Sequence, residues 1–279
     1  MKKYYIKDIQ ALKTSNQKFA TITAYDYLSA KIIDELSFPL ILVGDSASMV
    51  VYGYDDTTPI SMDEILLVLR AVVRGAKHSL IVADMPFMSY QPSIEHAIQN
   101  AGTLIKNGAN AVKVEGGSSD TCDRVRAIVD SGIPVVGHIG LMPQSINITS
   151  GYSVQGKTEK HAKIIIKEAQ SLNDAGIFAL VLEGIPADLA AIITKQLSIP
   201  TIGIGSGKNC DGQIQVFHDV VGLYSNFIPK HAKQYLNGFE KLSQGLRSYK
   251  DEVEAAIFPN NKHCIQLDKT VLKKISENN

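Results

Sequence analysis

The 279-residue sequence has no tryptophan and only three cysteines, Cys122, Cys210 and Cys264. The three are far apart and form no C-x-x-C pair, which argues against a disulfide framework and against a structural zinc site. There is no excess of charge of either sign: Lys and Arg total 28, Asp and Glu total 28. A neutral balance leaves no whole-chain electrostatic footprint for nucleic acid or an anionic membrane, so neither partner is expected. No apolar run reaches membrane-spanning length, and the residues after Lys2 and Lys3 are too polar for a signal peptide. The expectation is a soluble cytoplasmic protein with reduced thiols. What the chain does have is apolar content: 45% of its residues are hydrophobic, enough to bury a large core as one barrel or two smaller domains.

The apolar residues are grouped. Short β-rich runs occur at Phe19–Tyr25, Pro39–Asp45, Leu80–Pro86, Ala111–Gly116, Pro134–Gly140, Phe178–Gly184 and Pro200–Gly205, with an eighth candidate at Gln213–Phe217. Most are apolar along most of their length, as strands buried on both faces read, so a parallel sheet is expected. Helical spacing fills the gaps. Met62–Ala76 follows a capping-box pattern, Ser61 with Glu64. Ile94–Asn107, Asp120–Ser131 and Glu159–Ala175 each stop before a glycine, and Pro186–Gln196 opens with proline at its expected first helical position. This alternation predicts either a (β/α)₈ barrel or a long doubly wound sheet. The barrel is favoured, because the units are even and no G-x-G-x-x-G opens a helix after the first strand. The glycine-rich Gly203–Gly207 then falls at strand seven, where barrels often bind small anions. No composition shift divides the body. The expected organisation is one catalytic barrel over 1–264, with a helical, charged stretch from His231 to Ala256, and a polar, mobile tail over 265–279.

In a barrel, the carboxyl ends of the strands line the active site. The last polar residues of the runs are Asp45, Asp84, Lys113 with Glu115, His138 and Glu183. Singly, each acid has an ordinary explanation: Asp45 or Asp84 could set a turn or cap a helix, and Glu183 could cap the helix near Pro186. As a set they need more, because carboxylates converging on one mouth repel each other unless a cation neutralises them. Oxygen donors with one histidine and no cysteine favour Mg²⁺ over zinc. A 2-oxo acid suits such a metal, which would stabilise the enolate formed when the neighbouring carbon loses a proton. Lys113 and Glu115 are two apart on one strand, so both can point inward; Lys113 could pair with the substrate or only with Glu115. Partial desolvation at the end of an apolar run would raise the pKa of Glu183 towards that of a base. His138 could bind substrate or be a satisfied core histidine, and Ser46 could touch substrate or only backbone. Tyr25 and Asp26 could support the pocket. Met85, Phe87, Met88 and Tyr90 could form its apolar wall or belong to the core.

The sequence resembles the ketopantoate hydroxymethyltransferase family. The matching segments, in the family's order, include Thr23–Asp26, Val43–Ser46, Val51–Tyr54, Ala83–Tyr90, Val112–Gly117, Gly137–Leu141, Val154–Thr158, Leu180–Gly184, Ile202–Gly205 and Cys210–Gln213. The resemblance implies a barrel of the phosphoenolpyruvate/pyruvate-binding type. It implies transfer of a hydroxymethyl group from 5,10-methylenetetrahydrofolate to the Mg-stabilised enolate of 3-methyl-2-oxobutanoate, giving 2-dehydropantoate and tetrahydrofolate on the way to pantothenate. It also implies one Mg²⁺ per subunit and a homo-decamer of two pentameric rings. Residue by residue, Asp45 and Asp84 match the metal ligands, and Glu115 matches a third acid that reaches the metal directly or through water. Ser46 and Lys113 match groups that bind the 2-oxo acid, and Glu183 matches the proton acceptor. The chain departs from the family's common pattern at Ala47-Ser48 (Leu-Gly), at Ser150 (Gly) and at Ser206 (Ala), which bears on loop geometry. A metal-dependent lyase or mutase on the same barrel, and a non-enzymatic metabolite binder, are the competing expectations.

Overall fold

The computed structural model describes residues 2–149, 154–224 and 229–277. Eight parallel strands close into a barrel in sequence order: β1 Phe19–Thr23, β2 Leu40–Val43, β3 Leu80–Asp84, β4 Ala111–Glu115, β5 Val135–Gly140, β6 Ala179–Glu183, β7 Thr201–Ile204 and β8 Gly212–Gln215. Closure is the β1–β8 pairing, Phe19 opposite Gly212 through Ile22 opposite Gln215. Each strand lies within the run read from the sequence or, for β8, starts one residue earlier. The runs are legible because both faces of each strand are covered, one by the barrel interior and one by helices.

The helices up to the end of the barrel are α1 Ile6–Thr14, α2 Tyr27–Glu35, α3 Ala47–Val50, α4 Met62–Gly75, α5 Ile94–Lys106, α6 Ser119–Asp130, α7 Ile146–Thr149, α8 Glu159–Asp174, α9 Ala187–Gln196 and α10 Phe217–Val221. The capping box that opens α4 is formed as read: Glu64 N–H donates to Ser61 Oγ at 3.3 Å, and Ser61 N–H donates to Glu64 Oε2 at 2.8 Å. Pro186 sits one residue outside α9, as its N-cap, rather than at the first helical position. Its missing N–H costs nothing in either place.

The seventh crossover differs from the regular pattern. Residues 205–211 return the chain from the top of β7 to the bottom of β8 without a helix. The glycine-rich segment Gly203–Gly207 spans the end of β7 and the start of this return, and its backbone is closely packed. A Cβ on Gly207, whose φ is +81°, would lie 2.5 Å from Ala187 Cβ, and one on Gly203 would lie 2.9 Å from Cys210 Sγ.

Two apolar layers organise this unit. Inside the barrel are Phe19, Leu40, Leu42, Leu80, Val82, Ala111, Val136, Ala179, Val181, Ile202, Ile204 and Ile214. Helix α1 plugs the amino-terminal end of this interior: Ile9 is fully buried in the same cluster, with Ile6 and Leu12 packed against it. Its Lys13 Nζ donates to Asp211 Oδ2 and to the Thr194 carbonyl, both at 2.8 Å. The larger cluster, including Ile41, Val43, Ile65, Leu69, Val112, Val114, Leu180 and Leu182, lies between strands and helices. With one end closed by α1, the opposite, carboxyl end is the one left for chemistry.

The first compact unit comprises Met1–Val220 with Ile228–Lys233; the second comprises Val221–Phe227 with Gln234–Asn279. The second holds α11 Gly238–Glu254 and α12 Lys269–Ser276. The polar stretch read as a tail carries a helix, with Asp268 as its N-cap. No described helix is long and apolar enough to cross a membrane.

Candidate active site

Strand parity builds the site. Side chains alternate between barrel interior and helix layer. On β3, Leu80 and Val82 fill the interior and Asp84 follows them two residues on. The same step places Lys113 and Glu115 above Ala111 on β4, His138 above Val136 on β5, and Glu183 above Ala179 and Val181 on β6. Each of these strands turns from apolar to ionisable where the interior meets the mouth. Asp45 arrives differently, two residues past the end of β2.

The structure brings all of these side chains together. Asp45 N–H donates to Asp84 Oδ2 at 2.9 Å. Lys113 Nζ lies 3.3 Å from both Asp84 Oδ1 and Glu115 Oε1, and 3.2 Å from His138 Nδ1. His138 also spans two acids, with Nδ1 3.3 Å from Glu115 Oε1 and Nε2 3.3 Å from Glu183 Oε2. Asp45, Asp84, Lys113, Glu115 and His138 are buried, while the Glu183 side chain is 18% exposed, facing the opening. The capping explanations fall away. No side chain caps α3, and the N-cap of α9 is Pro186 rather than Glu183.

Burial pushes the Asp45 carboxyl well above the usual range, and the charges of Asp84 and Glu115 add to the effect. Burial also raises Asp84, against the opposing pull of Lys113 and the Asp45 N–H. Burial works against the Glu115 carboxylate too, but Lys113 and then His138 outweigh it and hold the group at about 2. Lys113 is itself buried, yet Asp84, Glu115 and Asp45 together keep it charged, above its ordinary value. Burial and Lys113 oppose a charged His138; Glu115 and the neighbouring Glu183 carboxylate overcome them and push it up to about 9.

Asp45, Asp84 and Glu115 are neighbours without being three open ligands. Among the described residues, no three or more His, Cys, Asp or Glu side chains form a group able to hold a metal ion. The reason is that Glu115 is engaged: Oε1 faces Lys113 and His138, and Oε2 accepts from the Gln144 N–H at 3.1 Å. Asp84 is the contrast. Its Oδ1 is buried without a hydrogen-bond partner, because Lys113, 3.3 Å away, is not aligned to donate to it. An all-oxygen pair with one unsatisfied atom and raised pKa values fits a hard divalent cation such as Mg²⁺.

Around this centre, Ser46 Oγ and Tyr25 Oη are 2.7 Å apart, which joins the ends of β1 and β2. Asp26 is a helix cap, accepting from Leu28 and Ser29 N–H groups. The candidate apolar wall divides: Met85 and Tyr90 are buried in the core, whereas Phe87 and Met88 are exposed. Two of the departures have structural roles. Ser48 Oγ donates to the Asp56 carbonyl at 2.6 Å and so anchors the following loop. Ser206 Oγ donates to the Leu182 carbonyl at 2.8 Å and accepts from Ile185 N–H at 3.3 Å, stapling the backbone on both sides of Glu183. The departure at Ser150 lies outside the described residues. Sequence reasoning missed Gln144, in the 3₁₀ turn Pro143–Ser145 after β5. The available signal was a polar residue after a proline, just beyond a strand end that carries chemistry.

The family model described as ketopantoate hydroxymethyltransferase matches residues 3–261. A Dehalococcoides mccartyi protein named 3-methyl-2-oxobutanoate hydroxymethyltransferase is 51% identical over 275 residues, covering 98% of each chain. Namesakes from Clostridium beijerinckii and Carboxydothermus hydrogenoformans are 52% and 49% identical, covering 94% and 99% of this chain and 96% and 100% of their own. Among solved structures, a phosphonopyruvate hydrolase superposes with a TM-score of 0.61 at 13% identity, covering all of this chain and 96% of its own. A 2,3-dimethylmalate lyase of the PEP mutase/isocitrate lyase superfamily gives 0.58 at 13% identity, covering 98% of each. These two speak to the barrel alone. Matched along nearly its whole length by the family model and by relatives about half identical to it, the chain belongs to the ketopantoate hydroxymethyltransferase family.

Proposed function

We propose that the barrel mouth transfers a hydroxymethyl group from 5,10-methylenetetrahydrofolate to 3-methyl-2-oxobutanoate, forming 2-dehydropantoate and tetrahydrofolate. The observation that carries the reading is the convergence at one mouth of Asp45, Asp84, Lys113, Glu115, His138 and Glu183, with Asp84 Oδ1 buried and unsatisfied. Asp45 and Asp84 are the residues that would hold Mg²⁺, with Glu115 acting on it through water. Bound there, the ion supplies Lewis acidity to the 2-oxo group.

The other side chains have separable tasks. Lys113, a buried cation that keeps its charge, binds the oxygen on which negative charge develops. Ser46, held by Tyr25, binds the 2-oxo acid beside it. Glu183 stands at the opening and accepts the C3 proton of 3-methyl-2-oxobutanoate. His138 links Glu183 to Glu115 and lines the substrate site. The carbon nucleophile left after proton removal then forms a bond to the methylene carbon of the folate; that carbon's bonds to the folate nitrogens break, the nitrogens take up protons to give tetrahydrofolate, and water supplies the hydroxyl oxygen of the product. The assembly expected with this activity is a cytoplasmic decamer of two pentameric rings, which a native mass measurement checks directly.

Exchange of the C3 hydrogen for deuterium tests the first half-reaction without folate. Wild-type protein with Mg²⁺ should exchange it. Glu183→Gln should lose most of the exchange and keep its affinity for Mn²⁺, used as a spectroscopic stand-in for Mg²⁺. Exchange by Glu183→Gln at the wild-type rate would remove the base from this scheme.

A further inference from the structure

Gln144 holds a position that none of the roles above uses. It is 5% exposed and belongs to a turn rather than a strand. Its side-chain nitrogen donates to Asp45 Oδ2 at 2.8 Å and to the Met85 carbonyl at 2.9 Å. Its side-chain oxygen accepts from Tyr90 Oη at 2.9 Å. Its backbone N–H donates to Glu115 Oε2 at 3.1 Å. Tyr90 closes the ring by accepting from the Glu115 N–H at 3.3 Å.

The direction of the amide is fixed by its partners. Asp45 Oδ2 and the Met85 carbonyl are acceptors, so a flipped amide would set oxygen against oxygen at both. Both amide hydrogens are therefore spent on one acid and one strand end, while the same residue's backbone grips the second acid. One residue thus sets the position of Asp45 relative to Glu115. These two acids come from separate sources, a loop after β2 and the end of β4; the other link between them is longer, running from the Asp45 N–H to Asp84 and through Lys113 to Glu115.

We propose that Gln144 is a positioning residue that holds Asp45 and Glu115 in the arrangement needed for the divalent cation and the 2-oxo acid. The inference rests on the metal-holding role given to Asp45 above. Partners of metal-ligating carboxylates typically matter about 10- to 100-fold in metal affinity, and that is the effect expected here.

The experiment measures Mn²⁺ binding by electron paramagnetic resonance in wild type, Gln144→Met and Gln144→Asn. Gln144→Met keeps the length and removes the polar atoms. Gln144→Asn keeps the amide but is one methylene too short to reach both Tyr90 and Asp45, and it carries the test should the apolar variant not fold. Both should bind Mn²⁺ about 10- to 100-fold more weakly. Both should also raise KM for the 2-oxo acid in deuterium exchange while leaving kcat at saturating metal and substrate near wild type. A purely structural role would lower the melting temperature without that split. Folded variants with wild-type Mn²⁺ affinity would overturn the proposal alone. A wild-type protein that bound no Mn²⁺ would overturn the metal-holding role of Asp45 and this proposal with it.

Discussion

Replacing Gly140 by alanine is the sharpest test of how the fold sets the base. Gly140 ends β5 with φ +99°, a conformation an L side chain rarely adopts, and a Cβ there would lie 2.2 Å from the Glu183 carbonyl oxygen. Real Cβ contacts essentially never fall below 3.0 Å, so β5 and β6 must separate locally by about 1 Å. The same carbonyl accepts from Leu141 N–H at 2.8 Å, and a shift of that size takes the bond out of hydrogen-bonding range. The backbone cost is about 1–2 kcal/mol, and the lost bond adds about 0.5–1.5 kcal/mol. For a unit of this size that lowers the melting temperature by roughly 3–14 °C. The larger effect is on rate: a base displaced by about 1 Å costs on the order of 100-fold. Gly132→Ala is the control, because Gly132 also has a positive φ, +83°, but a Cβ there meets nothing within 4 Å. It should pay the backbone cost and exchange deuterium at the wild-type rate. A folded Gly140→Ala protein with wild-type exchange would show that the β5–β6 contact does not position Glu183, and the reasoning from strand ends to base would fail.

Two further outcomes follow from the charges at the mouth. Lys113→Met leaves Asp84 and Glu115 buried without their common cation. Stability at pH 7 should fall by about 3–5 kcal/mol, and the deficit should shrink towards pH 4 as the acids take up protons; equal melting temperatures for variant and wild type at pH 7 would contradict the pairing. His138 concerns the alkaline side. Its folded pKa of about 9 lies above the ordinary 6.5, so its contribution is complete below pH 6.5 and is lost as pH rises through 9. In metal-free buffer, wild type should lose about 3 kcal/mol across that window relative to His138→Gln; parallel profiles in denaturant titrations would refute the shift.

The barrel was legible because its physics is repetitive. A strand covered on both faces has to be apolar throughout, so Ile41–Val43 or Leu180–Leu182 reads as a strand without any knowledge of its neighbours. Asp84, Glu115 and Glu183 were legible for the complementary reason, since an acid that continues the inward parity of an apolar strand has no core partner to explain it, and Asp45 was legible as the polar end of the β2 run. What could not be read depends on distance across the sequence. Helix α1 has its apolar positions at helical spacing, but the plugging role of Ile9 exists only once the barrel leaves an end open. The helix-free seventh crossover, with Gly207 packed against Ala187, joins residues on two different crossovers. Gln144 lies 99 residues from Asp45 and 29 from Glu115, and nothing local marks it as their link. Tyr90 read as a candidate for an apolar wall because its phenol partners, Glu115 and Gln144, are equally remote.

Hydrogen-bond valency also separates acids that a sequence treats alike. Glu115 has both oxygens committed to Lys113, His138 and the Gln144 backbone, and its low pKa records how well that charge is met. A direct metal bond would have to break one of those contacts, whereas a water between metal and Glu115 would not. Asp45 and Asp84 are in the opposite condition, each pushed up by burial. Fully ionised, the four acids at the mouth carry more charge than Lys113 and a protonated His138 can balance. The protein can shed the excess in two ways, by holding protons on Asp45 and Asp84 or by taking up a dication between them. The two compete for the same oxygens, so metal uptake displaces protons and weakens towards acid pH. On the proposed reading, the acids least satisfied by protein partners, Asp45 and Asp84, are the ones that would hold the metal.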